Sequence, residues 1–308
     1  MFTLFKKRTF SDYISDTFTF LKLERKPFFK NFLSLCGPLL LGLVVCVYFL
    51  TDIFFHAIQS SNNDAIDDFI TSNVLLGVLL GLITFVLFII ISVISYAYPV
   101  FYLKRMSEKK EDYQTLPPLK LLIKKSFGRL FVFGLGTLFL ITPLILIAFS
   151  ISAVLIFLLV GIPLLIILFP ATASWISVAF FEYTTNNTGF FAAYSVSFNI
   201  IKQNFWVIIG NTFVFQLIIQ IITSVFTLFP QMFFYGGLLT STSSTADLEQ
   251  TLAFKLFVIA IMVISIIVSV IINVVLLINQ GLIYYSAREH KENNQSHFDI
   301  ESIGMHND

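Results

Sequence analysis

The sequence predicts an all-α, polytopic membrane protein: six transmembrane helices in three pairs, each pair preceded by an interfacial amphipathic helix. Three observations carry that prediction. Hydrophobic residues make up 57% of the 308 residues and charged residues 12%, whereas about a quarter of a soluble domain is charged. Six apolar runs read roughly Asn31–Phe55, Val74–Leu103, Leu130–Ser150, Ile151–Phe181, Phe205–Phe229 and Leu252–Tyr285. Each has about 20 residues or more, enough to cross about 30 Å of hydrocarbon at about 1.5 Å per residue. Of the 19 Lys and Arg residues, all but Lys255 fall on one side of those runs.

Taken in order, Lys6, Lys7, Arg8, Lys22, Arg25, Lys26 and Lys30 precede the first run. Lys104, Arg105, Lys109, Lys110, Lys120, Lys124, Lys125 and Arg129 separate the second from the third. Lys202 separates the fourth from the fifth, and Arg288 and Lys291 follow the sixth. Connections near 56–73, 150 and 230–251 contain no Lys or Arg. Positive residues mark the cytoplasmic side, so both termini are expected inside, with six crossings between them. The net charge of +1 hides this segregation. Basic residues beside apolar spans suit anionic lipid headgroups on the cytoplasmic leaflet better than nucleic acid.

A single membrane domain is expected over 1–287, with the polar stretch 288–308 as a disordered cytoplasmic tail. No cleavable signal peptide is expected, because the first apolar run is too long and its flank too charged. Cys36 and Cys46 lie ten residues apart in the first run, too far along one helix to join, and read as small buried side chains. The outer connections 56–73 and 230–251 read as polar loops, and a tight hairpin is expected around Ser150. Pro143, Pro163 and Pro170 fall within that hairpin, as shape kinks or as a hinge.

Three basic stretches share a Lys followed three residues later by Phe: Lys26 and Phe29, Lys124 and Phe127, Lys202 and Phe205. A glycine follows each, at Gly37, Gly134 and Gly210, and Trp206 reinforces the third. The pattern fits a threefold repeat over 10–103, 113–181 and 188–285. It also fits the shared physics of membrane entry, with Lys in the headgroups and an aromatic just inside. On either view a helix lies in the headgroup plane and then turns into the bilayer.

Polar side chains inside the runs are few. Thr212, Gln216, Gln220 and Ser224 recur every fourth residue on the fifth run, and Ser265, Ser269 and Asn273 on the sixth, with Gln280 beyond. That spacing places each set on one helix face. An antiparallel pair would level Gln216 with Asn273, Gln220 with Ser269 and Ser224 with Ser265. Such a stripe reads as interhelical glue at about 0.6–2 kcal/mol per contact, or as a polar path for a solute. Glu182, Lys255 and Asp52 are ionisable residues near span ends, where snorkelling accounts for them. No catalytic, cofactor or metal site is expected: His56, His290, His297 and His306 lack zinc spacing, and Asp64, Asp67 and Asp68 lack calcium-loop spacing. Neither a Gly-x-Ser-x-Gly elbow nor a phosphate-binding Gly-rich loop occurs. Gly77 and Gly81 form a small-xxx-small pattern that permits close helix approach.

Ser197-Phe-Asn-Ile-Ile-Lys-Gln-Asn-Phe-Trp-Val-Ile-Ile-Gly210 resembles a segment of the membrane domain attached to some bacterial glycerophosphoryl diester phosphodiesterases. It also resembles stand-alone multi-span bacterial membrane proteins related to that domain. The resemblance implies the paired-span layout. It carries no catalytic residue, because the stretch after Ala287 is too short for the metal-binding barrel of those enzymes.

The expected function is therefore a non-enzymatic membrane protein that supports a membrane protein partner or organises lipid. The alternative is a small-solute transporter or lipid translocator using the stripe on the fifth and sixth helices. An enzyme built on Glu182 and Lys202 ranks third.

Overall fold

The computed structural model describes residues 2–59, 63–108, 113–240 and 252–292. The expected tail beyond residue 292 and the connection 241–251 lie outside the described residues, as do the side chains of His56, the Asp64–Asp68 cluster and Lys255. Among the described residues there are helices and no strand: α1 Phe10–Gln59, α2 Asn63–Ser107, α3 Leu116–Gly136, α4 Thr142–Val154, α5 Gly161–Thr185, α6 Phe190–Gln203, α7 Phe205–Thr240 and α8 Leu252–Glu292. Six segments are long and apolar enough to cross a membrane: Phe10–Ile53, Val74–Ser107, Leu116–Leu158, Gly161–Thr185, Phe205–Phe226 and Ile259–Glu292. The chain is a multi-pass helical membrane protein.

Three expectations are corrected. The amphipathic stretch is a helix of its own only before the fifth span, where α6 ends at Asn204 (φ −130°, ψ 45°). Residues 10–30 run without a break into the first span, and 116–129 into the third. Asn readily leaves the helical conformation, whereas Pro27 is taken up inside α1 with no such terminator beside it. The polar connections are also shorter than expected, since α1 continues to Gln59, α2 begins at Asn63 and α7 continues to Thr240. Adding a turn to an existing helix costs little compared with starting one.

The third correction concerns the hairpin. Ser150 lies within α4, and the chain reverses over 155–160 instead. A 3-10 turn, Leu155–Leu158, is followed by Leu159 in the left-handed region at φ 60°. Gly161 then packs its backbone on the end of α4: a Cβ there would stand 2.2 Å from the Ser152 carbonyl oxygen and 2.4 Å from the Ile156 nitrogen. Only glycine permits that approach. The reversal carries no polar side chain, so a polar residue was a false guide to it. Between α3 and α4 a π-helical turn, Thr137–Ile141, precedes Pro143. Proline has no N–H to complete the ladder. Thr137 Oγ1 donates to Phe133 O (2.8 Å) and Thr142 Oγ1 to Thr137 O (3.1 Å), binding carbonyls next to the disrupted turn.

The chain forms two compact units. The first comprises Met1–Phe32, Tyr96–Ile218 and Asn273–Asp308; the second, Leu33–Ser95 and Ile219–Ile272. In the first, Phe20, Phe28, Phe32, Tyr98 and Tyr102 are fully buried. Phe28 meets Tyr102 edge-on at 4.9 Å and Tyr98 at 5.0 Å, the geometry that the aromatic quadrupole favours. Gly281 admits this packing on α8, since a Cβ there would fall 2.4 Å from Leu103 and 2.7 Å from Phe181. Among the described residues of the second unit few apolar side chains are buried: Cys36, Leu40, Leu43, Cys46, Ile91, Ile94 and Ile259. Both cysteines are free. Most of the apolar surface of the second unit faces outward, as at Leu75, Phe85 and Phe88. No side chain approaches Gly77 or Gly81, nor Gly37 or Gly134, whereas Gly210 meets the Phe10 ring.

Candidate functional site

The first unit gathers most of the buried polar groups, many of them hydrogen-bonded to one another, while the buried Thr184 Oγ1 and Gln280 Oε1 have no hydrogen-bond partner among the described residues. Glu24, 5% exposed, accepts hydrogen bonds from Tyr102 Oη (2.7 Å), Gln114 Nε2 (2.9 Å) and Tyr113 Oη (3.0 Å). Burial, with the carboxylate beside it, pushes the Tyr113 phenol up to about 12. Glu182 accepts from Tyr284 Oη (2.8 Å) and Asn186 Nδ2 (2.9 Å). A buried carboxylate is tolerated when donors surround it in this way. Glu182 makes no ion pair with Lys202, so the two residues of the enzyme reading are not brought together.

Several basic residues bond to protein, whereas the charge pattern had assigned them all to lipid. Arg129 Nη2 donates to Tyr183 O (2.9 Å) and Thr188 O (2.7 Å), and its guanidinium lies 4.2 Å from the Tyr183 ring centroid. Lys104 Nζ donates to Thr184 O (3.3 Å). Together they serve the orphan carbonyls at the C-terminal end of α5, where the helix dipole favours cations. Arg8 is buried, pairs with Asp16 (2.9 Å) and donates to Leu4 O (2.8 Å) and Thr3 O (2.8 Å). Burial lowers its affinity for a proton, and Asp16 opposes that shift.

The stripe residues are dispersed in exposure. Thr212 and Gln280 are fully buried and bonded to each other, Gln280 Nε2 donating to Thr212 Oγ1 at 3.0 Å, while Thr212 shares a bond with Ser174 Oγ at 2.7 Å. One residue away, Asn211 Nδ2 donates to Asn279 Oδ1 (2.8 Å), and Asn279 Nδ2 to Thr17 Oγ1 (3.1 Å). The Thr212–Gln280 contact falls three residues further along α8 than the expected pairing of Gln216 with Asn273 implies. Gln216 Oε1 is buried without a partner among the described residues. Gln220 Nε2 reaches Ser224 Oγ on its own helix (3.4 Å). Gln220, Ser269 and Asn273 are exposed, Ser224 and Ser265 half-buried. Asn211, Asn279, Glu24, Tyr102, Tyr113 and Gln114 were missed in the sequence. The doublets Asn211-Thr212 and Asn279-Gln280, rare within apolar runs, were the available signal.

Of the anchor residues, Lys26, Lys124, Phe127, Lys202 and Trp206 are exposed, while Phe29 and Phe205 are half-buried. Lys202 ends α6. That helix is tied to α5 by Trp175 Nε1 donating to Tyr194 O (3.0 Å) and Ser197 Oγ donating to Trp175 O (2.8 Å). Tyr194 stacks on Phe133 and shares a hydrogen bond with Thr137 Oγ1 (2.8 Å); burial pushes its phenol up to about 12. The docking leaves a crevice of about 530 Å³ between α4, α5, α6 and the start of α7. Ala148, Ala171 and Thr172 make it possible by being small, Trp175 and Phe198 wall it, and Lys202 is its one charged lining residue.

Among the described residues no group of three or more His, Cys, Asp or Glu is placed to hold a metal ion. No protein-family model, curated protein or solved structure matches the chain. The class therefore rests on fold and composition: a six-span helical membrane protein.

Proposed function

We propose that this is a non-enzymatic integral protein of a bacterial cytoplasmic membrane, with both termini cytoplasmic, that organises anionic lipid in the cytoplasmic leaflet. The carrying observation is the company its exposed cations keep. On α3, exposed Lys120, Lys124 and Lys125 alternate with exposed Leu121 and Phe127; around the start of α7, exposed Lys202 sits between exposed Phe198 and Trp206. Water would satisfy the ammonium groups and penalise the aromatics. An anionic membrane surface satisfies both, taking the rings among acyl chains and the charges among headgroups. The buried bonds of Thr212 and Gln280 support adhesion between helices, and the outward position of Gln220, Ser269 and Asn273 gives a solute path no support.

The test is the lipid retained after extraction in a mild detergent. Anionic phospholipid enriched over the bulk membrane is expected. A protein free of phospholipid, or carrying it in bulk proportions, would contradict the reading. Stoichiometric recovery of a protein instead would point to partner support.

A further inference from the structure

We infer that the crevice between α4, α5 and α6 is a lipid-binding site, holding one acyl chain of an anionic phospholipid whose phosphate is met by Lys202. The inference rests on the lipid-organising reading and assigns that reading a place. Its volume, about 530 Å³, falls within the roughly 300–1,000 Å³ of small-molecule sites. The polar groups on its walls make no demand on an occupant. Trp175 donates its indole N–H to Tyr194 O, and Thr172 donates its hydroxyl to Phe169 O (3.0 Å). Lys202 is different: it is exposed and has no hydrogen-bond or ion-pair partner among the described residues.

The site thus asks for a long apolar body and a single negative charge beside it. An apolar cavity excludes water and accepts a hydrocarbon, and an ammonium on a flexible stem meets a phosphate as a point charge. The shape follows from sequence. Ala148, Ala171 and Thr172 leave the floor open, and the Trp175–Tyr194 and Ser197–Trp175 bonds hold α6 as the opposite wall.

Trp175 also supplies the probe. In a Trp206→Phe background it is the sole tryptophan, and the full-length protein is reconstituted in vesicles doped with lipids brominated on the acyl chain. Brominated phosphatidylglycerol should quench it at a mole fraction about five-fold below that needed with brominated phosphatidylcholine, the preference one cation confers. Lys202→Glu should bring the two curves together, while Lys202→Arg and, at the end of α8, Lys291→Glu keep them apart. Ala171→Phe should weaken quenching by both lipids, and Ala148→Phe serves if that variant does not fold.

Superimposed curves in the parent protein, or quenching that survives both filled-crevice variants, would overturn the site. Soluble glycerol 3-phosphate should leave the curves unchanged; if it displaces the lipid at equal concentration, a headgroup pocket replaces the acyl-chain site. Anionic lipid retained in detergent but insensitive to these variants would sink the site and spare the broader reading. Absence of retained lipid would sink both.

Discussion

The two units of the molecule solve the same packing problem with different materials. The first fills its interior with rings and bonded polar groups: Phe20, Phe28, Tyr98 and Tyr102 in mutual contact, Tyr102 on Glu24, and the adjoining Asn211–Asn279 and Thr212–Gln280 pairs. In the second, a few aliphatic side chains and two thiols are buried, and Leu75, Leu82, Phe85 and Phe88 point outward. Where lipid is the solvent, apolar side chains gain little by turning inward, and specific contacts must come from close fit and hydrogen bonds. The first unit carries that specificity; the second relies on the bilayer to complete its packing.

Substitutions can break this contrast, and the largest effects belong to the first unit. Gly281→Val would drive a side chain into Leu103 and Phe181, and loss of monodisperse protein on size exclusion is expected; normal yield would show that the α8 contact is loose. Glu24→Ala would leave the buried Tyr102 and Tyr113 hydroxyls without their acceptor, each at about 1–3 kcal/mol, and Gln114 bonded to Tyr113 alone. A fall in thermal midpoint in detergent larger than for Tyr102→Phe is expected, and equal falls would show that the carboxylate is dispensable. Phe28→Ala should cost about 3–5 kcal/mol, whereas Phe85→Ala in the second unit, 61% exposed, should stay within about 0.5 kcal/mol. Similar losses at both positions would erase the distinction between the units. At the small end, a double-mutant cycle on Asn211 and Asn279 should return about 0.6–2 kcal/mol of coupling, and Gln220→Leu should be neutral or stabilising.

What was legible in the sequence follows the same division. Six spans could be read because run length and composition dominate the physics of crossing hydrocarbon, and one long apolar helix reads much like another. The reversal at Leu159–Gly161 could not, because it contains no polar or proline stop before Gly161 and depends on a backbone contact with Ser152. The continuity of α1 through Pro27 was hidden for a related reason: a change from amphipathic to apolar composition need not be a change of direction. Among the site residues, the periodic polar spacing named Thr212, with Gln280 one heptad beyond Asn273, but passed over Asn211 and Asn279, which bond each other at 2.8 Å and reach Thr17 as well. Glu24 was unreadable as a buried group because it sits in a basic, outwardly amphipathic stretch. Its burial depends on Tyr102 and Gln114, some eighty and ninety residues away along the chain.

We propose that the cationic segments and both termini share one side of a membrane that the chain crosses six times. Cysteine replacements at Ala65 and Thr240, in a Cys36→Ala, Cys46→Ala background, can be probed in intact cells with a membrane-impermeant maleimide. Labelling at both positions from outside, with cysteines placed at Lys7 and Lys120 protected until the cells are opened, is the predicted result. Protection at Ala65 or Thr240, or outside labelling at Lys120, would contradict it.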